Sequence, residues 1–391
     1  MRGSKKRMRV ERINIYRITL PFQGHFAISR LDGRSSTRIV VEISADQGRV
    51  KGFGEGVPIE FVTGETAEMV TKDVAAYVSG GFFPHHLTDV SQIWDFVERM
   101  PGGKEHNSAL CAIEMALLDA LGKEQKRSVL AYLPQHLSAP CIHYGASITL
   151  GDRARVEQLC RMIKSIGMRH LRIKMGSDFE QNKTALETVW EVFGSDCEQR
   201  IDPNGVWDFD LAMRHLPLLE KYRVRIIEEP MPRTSQGFAE FAEAVRAKGL
   251  ILMACESAPT LYDVKAIIEE GHYRMFNVKL CRSGGFHRTL RIIDYLRGKK
   301  MPFQIGCTLG EAGLLSAAGR ALGLVCSDAV TYDGSYDRFM LKENITEEDV
   351  TFGPGGKAGP LGGHGLGVTV KSEKLSRLSD FSSFVSSRRV C

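Results

Sequence analysis

Ionisable residues stand at the ends of successive apolar runs in the second half of the chain. Five consecutive runs, RIK, RID, IIEE, ACES and NVK, carry Lys174, Asp202, Glu228, Glu256 and Lys279 at or beside their last positions. Closely spaced carboxylates repel one another unless a cation joins them, and oxygen ligands favour a hard ion such as Mg²⁺. Such an ion polarises a substrate carboxylate and lowers the pKa of flanking lysines, which then move a proton at the adjacent carbon. The pattern predicts a metal-assisted proton-transfer site, and salt-bridged residues at a rim are the alternative.

The runs that carry these residues are evenly spaced. Eight apolar runs end in steps of 24 to 28 residues, at Thr149, Lys174, Asp202, Glu228, Cys255, Lys279, Cys307 and Thr331. Amphipathic stretches lie between them, which is typical of alternating strands and helices around a parallel sheet. Eight such units predict a (β/α)8 barrel, whose active site lies at the C-terminal ends of its strands. A doubly wound open sheet is the alternative, but the glycine-rich nucleotide-binding turn that it needs does not follow the first run.

The preceding part of the chain has another pattern. Residues from about 10 to 60 alternate like strands, with a hairpin signal at 46–48, and three helical patterns follow. We therefore expect an α+β domain over residues 8–140 and a catalytic domain over 141–349.

Composition excludes several classes of protein. The chain has 391 residues, 43% of them hydrophobic and 25% charged, with a net charge of +5, as expected for a soluble globular protein of two domains. The basic cluster MRGSKKRMR at the N-terminus is interpreted as a solvated tail, so no nucleic-acid partner is expected. Apolar runs are too short for a membrane span, a signal-peptide core is absent, and the nine cysteines contain no C-x-x-C pair. These features predict free thiols in a cytoplasmic protein with no membrane partner.

Several motifs, taken in order, resemble the enolase superfamily and, within it, the mandelate racemase/muconate lactonizing enzyme family. They are GFGEGVP, AIEMALLDALGK, RIKMG, IDPNGVW, IIEEP, ACES, NVKLCRSGG and GGHGLGV, and the resemblance covers roughly residues 8–370. It implies an α/β protein with a (β/α)7β modified TIM barrel and an N-terminal α+β capping domain. That domain would also include the C-terminal residues of about 350–391, and the eighth helix of the barrel would be missing.

The resemblance also implies roles for individual residues. Lys174 and Lys279 match the family's two catalytic lysines, and Asp202 and Glu228 match its first two metal ligands. The family usually has K-x-K on the second strand, where this chain has Arg172. We predict Arg172 as a further catalytic residue, because the arginine keeps the positive charge beside the catalytic lysine.

Two further positions depart from the family's pattern. Cys255 stands where the third metal ligand is usually an aspartate, and a thiol suits Mg²⁺ poorly. We therefore expect Glu256 to complete the site, with Mn²⁺ or another divalent ion as an alternative to Mg²⁺. On the last strand, Thr331 and Asp333 stand where dipeptide epimerases carry two acids that hold the substrate's ammonium group.

The function that the resemblance implies is that of a divalent-metal-dependent racemase or epimerase. It would remove and return the proton next to a substrate carboxylate through an enediolate, on an N-substituted amino acid or a related carboxylate. A muconate-type cycloisomerase, an o-succinylbenzoate-synthase-like dehydratase and a catalytically degenerate member with an incomplete metal site are the alternatives. The resemblance also implies a homo-oligomer, and His25, Ser29 and Arg34 of the capping loop as specificity contacts.

Overall fold

Two sheets of different construction organise the chain, which the computed structural model describes over residues 7–28 and 31–386. The strands are β1 (Met8–Ile28), β2 (Leu31–Ala45), β3 (Val50–Gly56), β4 (His86–Leu87), β5 (Ile142–His143), β6 (Ala146–Ile148), β7 (His170–Lys174), β8 (Glu198–Asp202), β9 (Val224–Glu228), β10 (Ile251–Ala254), β11 (Met275–Lys279), β12 (Phe303–Gly306), β13 (Lys357–Ala358) and β14 (Ser379–Ser386). The helices are α1 (Glu60–Thr63), α2 (Ala67–Ser79), α3 (Ser91–Arg99), α4 (Asn107–Gln125), α5 (Arg153–Ile166), α6 (Phe179–Phe193), α7 (Phe209–Lys221), α8 (Phe238–Ala247), α9 (Leu261–Glu270), α10 (Phe286–Gly298), α11 (Gly313–Val325), α12 (Asp337–Met340) and α13 (Ser372–Leu378).

The first sheet is antiparallel and packs against α4. Its strands lie in the order β14-β1-β2-β3, with β4 paired to β1. Every second residue of β3 is a glycine on the side that faces α4, and a Cβ atom on Gly54 would lie only 2.0 Å from the carbonyl oxygen of Ala112. The glycines therefore let the helix backbone lie directly on the sheet.

The second sheet is parallel and closes into a barrel. Its strands run β12-β11-β10-β9-β8-β7-β6, and each is followed by one of the helices α5 to α11. Tyr332 takes the eighth place, because it bridges both Ile305 in β12 and Tyr144 just before β6. The predicted (β/α)7β barrel is thus confirmed, and the four-residue α12 follows the eighth strand position in place of a full helix.

Side-chain caps explain why several barrel helices begin where they do. Asp152, Asp178 and Asp208 accept the backbone N–H groups of the third residue of α5, α6 and α7. Thr260 and Asp263 form a reciprocal capping box at the start of α9. Each cap comes a few residues after a strand end, and so the sequence signals for helix starts also mark the loops that form the barrel mouth.

A buried ion pair joins the antiparallel sheet to the barrel. Arg38 on β2 and Glu55 on β3 are both fully buried, with Nε and Oε1 3.4 Å apart. Glu55 also accepts the backbone N–H groups of Ala312 and Leu315, at 2.8 and 3.0 Å, at the start of α11. The carboxylate is placed at the positive end of the helix dipole.

The structure differs from expectation at the first barrel strand. The apolar run that ends at Thr149 begins at residue 142 and predicts one strand, but β5 pairs antiparallel with β13 and, of β5 and β6, only β6 joins the barrel. At the C-terminus, β14 pairs with β1. The predicted domain boundaries stay a prediction: a capping domain of residues 8–140 together with about 350–391, and a catalytic domain of residues 141–349.

Parts of the chain lie outside this description. They include most of the basic N-terminal cluster and the last five residues. Within the described ranges, no helix combines the length and the apolar character needed to cross a membrane.

Candidate active site

The ionisable residues predicted from the strand ends gather at one mouth of the barrel. Lys174, Asp202, Glu228 and Lys279 are the last residues of β7, β8, β9 and β11, and Glu256 follows β10 by two residues. All but Glu256 are buried. In a ring of eight strands, β7 and β11 take the second and sixth places, so the two lysines approach from opposite sides.

One lysine is held by a chain of hydrogen bonds. Lys174 Nζ lies 2.5 Å from Asp202 Oδ2 and 2.8 Å from Asn204 Oδ1. The amide of Asn204 in turn donates to Glu256 Oε1 at 3.1 Å. Asn204 was not among the predicted residues, although its place two positions after Asp202 is a signal that could have identified it.

Two residues that the sequence analysis did not predict, Asn277 and Arg200, contact the carboxylate of Glu228. Asn277 Nδ2 donates to Glu228 Oε1 at 2.6 Å, and Arg200 Nε lies 3.7 Å from Oε2. Asn277 and Arg200 each precede a predicted residue by two positions on the same strand. Side chains two apart on a strand point to the same face, so this spacing could have identified a second layer beneath the first.

Arg172, predicted as a catalytic residue, is turned towards the eighth strand position. Its Nη1 lies 3.1 Å from Asp333 Oδ2, and Arg200 donates to the same oxygen. Burial alone raises the pKa of Asp333, but Arg200 and Arg172 outweigh it and hold the pKa at about 2. Asp333 is therefore a buried anion that two guanidinium groups already neutralise.

Cys255 and Glu256 point in different directions. Cys255 Sγ is buried and accepts a hydrogen bond from Arg282 Nη1 at 3.0 Å. Burial raises the pKa of this thiol well above its usual range, so it is protonated and poorly suited to bind a metal ion. Burial also acts to raise the pKa of Glu256, but Lys279, Arg282 and Lys174 together lower it to about 2. Glu256 is therefore ionised and aimed into the mouth.

Glu229, the second carboxylate of the EEP motif, supports the segment that carries Glu256. It accepts the backbone N–H groups of Cys255 and Ser257 at 2.7 and 3.2 Å, together with the Ser257 hydroxyl. These bonds come from the residues on both sides of Glu256. Glu229 thus positions Glu256.

Two carboxylate oxygens in the mouth are short of partners. Glu228 Oε2 and Glu256 Oε2 are buried and accept no hydrogen bond from any described residue. Buried carboxylate oxygens without partners are costly unless a cation satisfies them, and with Asp202 they form a donor set of the kind that a hard divalent ion takes. As placed, however, no three His, Cys, Asp or Glu side chains in the described ranges form a ready-made metal site. The carboxylate oxygens are ligands of the type that Mg²⁺ takes. Asp202, however, contacts Lys174 and does not complete the site as placed.

The charges in the mouth shift the pKa of Lys279 against expectation. Burial on its own lowers the pKa, but the carboxylates of Glu256 and Glu228 favour the charged form and raise the pKa above its usual range. For Asp202, burial and then Glu228 raise the pKa, and Lys174 opposes them. In the chain by itself, Lys279 is therefore a firmly charged ammonium group and not a lysine with a lowered pKa.

A cavity of about 390 Å³ opens above these groups. Arg172, Lys174, Asn204, Glu256 and Lys279 line its floor. Of the predicted capping-loop contacts, Ser29 lies outside the described residues, the side chain of His25 is likewise not described, and Arg34 is exposed.

Comparison with known proteins agrees with this architecture. Residues 154–374 match the family described as enolase C-terminal domain-like, and residues 15–133 match the mandelate racemase / muconate lactonizing enzyme N-terminal domain. A hydrophobic dipeptide epimerase from Enterococcus faecalis is 25% identical over 95% of this chain and 98% of its own length. A chloromuconate cycloisomerase from Pseudomonas sp. is 23% identical over 94% of this chain and 98% of its own length.

A solved structure shows the same fold. It is a dipeptide epimerase from Cytophaga hutchinsonii complexed with Mg and the dipeptide D-Ala-L-Val. It superposes with a TM-score of 0.82 at 22% identity, and the match covers 97% of this chain and all of that one. The chain therefore belongs to the mandelate racemase / muconate lactonizing enzyme family, as an isomerase of the enolase superfamily.

Proposed function

We propose that this chain racemises or epimerises a carboxylate substrate at the carbon next to the carboxylate group, most simply an N-substituted amino acid. The observation that carries the proposal is the placement of Lys174 and Lys279. They end strands on opposite sides of the barrel and line one cavity. Two bases on opposite faces of a carbon are what inversion at that carbon requires, because the proton leaves on one side and returns on the other.

The proton steps belong to the two lysines. One Nζ takes the α-proton, and the ammonium of the other delivers a proton to the opposite face. Lys279 is suited to the delivering role, because Glu256 and Glu228 favour its charged form. Arg172 is a positioning residue. It forms an ion pair with Asp333 and keeps a positive charge beside Lys174.

We propose that Asp202, Glu228 and Glu256 hold the divalent ion, Mg²⁺ or alternatively Mn²⁺. When bound, the ion supplies Lewis-acid stabilisation of the negative charge that develops on the substrate carboxylate. Support comes from Oε2 of Glu228 and Oε2 of Glu256, which accept no hydrogen bond from any described residue. Asp202 would exchange its contact with Lys174 for the ion, which would free Nζ for the substrate.

The cellular setting that we propose is a homo-oligomer in the cytoplasm. The eight described cysteines are all unpaired, which suits a reducing compartment.

The test is hydrogen–deuterium exchange at the α-carbon. Metal-stripped protein is incubated in D₂O with a panel of N-substituted amino acids, with and without Mg²⁺ or Mn²⁺, and exchange is followed by proton NMR. Calorimetry of the same metals on the wild type and on Cys255→Asp shows whether the natural site binds an ion. Metal-dependent exchange supports the proposal. If only Cys255→Asp binds metal and the wild type exchanges nothing, the site is degenerate.

Cycloisomerisation or dehydration is the second candidate. It would be favoured if Lys279 stays charged with the ion bound, since a charged lysine stabilises an anion instead of removing a proton. The two candidates differ in their products: a racemase interconverts enantiomers, whereas the alternatives form a lactone or release water. Mass spectrometry detects the loss of water, and proton NMR with chiral chromatography distinguishes a lactone from an enantiomer, because cycloisomerisation and racemisation both leave the mass unchanged.

A further inference from the structure

The two lysines of the site are followed by loops that the chain holds in different ways. After Lys174, the backbone of Gly176 exchanges two hydrogen bonds of 2.8 Å with the side chain of Asn182 on α6. The indole N–H of Trp207, just before α7, donates to the carbonyl of the same glycine at 2.9 Å. Both partners belong to the barrel, so the loop after Lys174 is held by the same sheet and helices that carry the lysine.

The segment after Lys279 comprises residues 280–287 and leads into α10. It folds back on its own strand, because the backbone N–H of Ser283 donates to the carbonyl of Lys279 at 2.9 Å. Gly285, the last residue before α10, has a φ of 96° and has no side chain with which to cap the helix. The first N–H groups of α10 therefore need partners from elsewhere, and a movement of this segment would reach the backbone of Lys279.

The partners of this segment come from α4, which lies in the part of the chain that matches the family's N-terminal domain. The carboxyl group of Glu114 accepts the backbone N–H groups of Phe286 and His287, the latter at 2.9 Å. Asn107 Nδ2 donates to the carbonyl of Arg282 at 2.6 Å. Asn107 and Glu114 are both buried and lie seven residues apart, so one face of α4 presents both to the segment.

The two glycines before α10 allow α4 to come this close. A Cβ atom on Gly284 would lie 2.7 Å from Oδ1 of Asn107, and a Cβ atom on Gly285 would collide with Oε2 of Glu114. The backbone of the segment therefore contacts the amide and the carboxyl group directly, with no intervening side chain.

We propose that Asn107 and Glu114 are positioning residues for Lys279, so that α4 governs proton transfer on one face of the substrate's α-carbon. The other face depends on Lys174, whose loop is held within the barrel. This inference rests on the proposed function and adds a role for the part of the chain that carries neither lysine. Positioning matters for the rate because a misplacement of about 1 Å can cost about 10²-fold.

The test compares the two faces in Glu114→Gln. This variant keeps the shape of the side chain but places an amide NH₂, which cannot accept, against one of the two backbone N–H groups. The assay is α-proton exchange in D₂O with Mg²⁺ or Mn²⁺, on each enantiomer of the N-substituted amino acid that the wild type exchanges fastest. We expect exchange to fall by about tenfold or more for the enantiomer that Lys279→Gln also fails to exchange. The enantiomer whose α-proton faces Lys174 should be nearly unchanged.

A matched control lies on the same helix. Asp119 is also buried, and its carboxylate accepts the backbone N–H groups of Phe53 and Leu366, each at 2.9 Å. Neither of these groups belongs to residues 280–287. Asp119→Asn therefore makes the same chemical change on α4 and should leave the ratio of the two exchange rates as it is in the wild type.

A second variant provides for the case in which Glu114→Gln does not fold. Asn107→Asp should fold, because an acid in the first turn of α4 is favourable and Arg288 already donates to this side chain at 3.2 Å. The aspartate has no donor for the carbonyl of Arg282. The ratio of the two exchange rates should therefore shift in the same direction as in Glu114→Gln.

Amide hydrogen exchange followed by mass spectrometry gives a readout that does not depend on activity. Residues 280–291 should exchange faster in Glu114→Gln and Asn107→Asp than in Asp119→Asn. If this segment is unaffected, or if it loosens while both enantiomers slow equally, the inference is wrong and the proposed function stands. If the wild type exchanges neither enantiomer with any divalent ion, the proposed function fails and the inference fails with it.

Discussion

Replacing one lysine should abolish proton transfer on one face of the substrate's α-carbon and leave it intact on the other. The variant Lys279→Gln removes the proton-transfer group at the end of β11. The proton-transfer group at the end of β7, Lys174, is retained. We expect racemisation to fall by about 10²–10⁴-fold, the range for loss of a general acid or base, which corresponds to about 3–5 kcal/mol at 1.36 kcal/mol per decade. Exchange should persist for the enantiomer whose α-proton faces Lys174.

A second substitution separates proton transfer from charge. Lys279 balances Glu256, so Lys279→Gln also leaves that carboxylate with fewer cations around it. Lys279→Arg keeps the positive charge but cannot give up a proton at neutral pH. Both variants should lose racemisation to a similar degree if proton transfer is the role of Lys279. A large loss in Lys279→Gln alone would mean that Lys279 serves as a charge.

The assay is proton NMR of each pure enantiomer in D₂O, run on Lys279→Gln, Lys174→Gln and the wild type. The two variants should show mirror-image behaviour, each retaining exchange of one enantiomer only. Calorimetric titration with Mg²⁺ on each variant checks that the metal site has survived. If both variants slow the two enantiomers equally while metal binding is unchanged, the two-base reasoning is wrong.

Three further predictions concern stability, and urea denaturation measures each of them. Arg38→Met should destabilise the fold by about 3–5 kcal/mol, because Glu55 is left as a buried charge without its cation, whereas the exposed Arg161→Met should change little. Gly54→Ala should also destabilise strongly, since its Cβ would collide with the backbone of α4, and an unchanged midpoint would contradict the predicted close packing. Burial raises the pKa of Glu114 from 4.5 to about 8, so between these values the folded chain holds a proton that the unfolded chain releases. The free energy of unfolding should therefore fall as the pH rises through this window, and Glu114→Gln should flatten that part of the profile.

The order of elements could be predicted from the sequence, because its signals are local. Apolar runs at steps of 24 to 28 residues correspond to strands that end at Lys174, Asp202, Glu228 and Lys279. Since the carboxyl ends of parallel strands meet at one mouth, strand ends alone bring these residues together. The periodicity by itself predicted eight helices. Only the resemblance to the family indicated that the eighth helix of the barrel is absent.

The partners of these residues depended on tertiary structure. Arg200 and Asn277 lie one layer below the predicted residues, and which carboxylate each contacts depends on the barrel's curvature and register. The split of residues 142–149 into β5 and β6 likewise depends on β13, which lies more than 200 residues away along the chain.

The orientation of neighbouring side chains was also beyond the sequence. ACES contains a thiol and a carboxylate side by side, and either one could have faced the mouth. Glu229 and Arg282, which follow the ends of β9 and β11, hold Cys255 in the packed wall and direct Glu256 to the cavity. The sequence alone thus determined the strand ends and the type of chemistry they carry, because both are properties of consecutive residues. Only the tertiary structure decided which groups are paired and which remain free, because pairing depends on contacts between residues that are far apart in the chain.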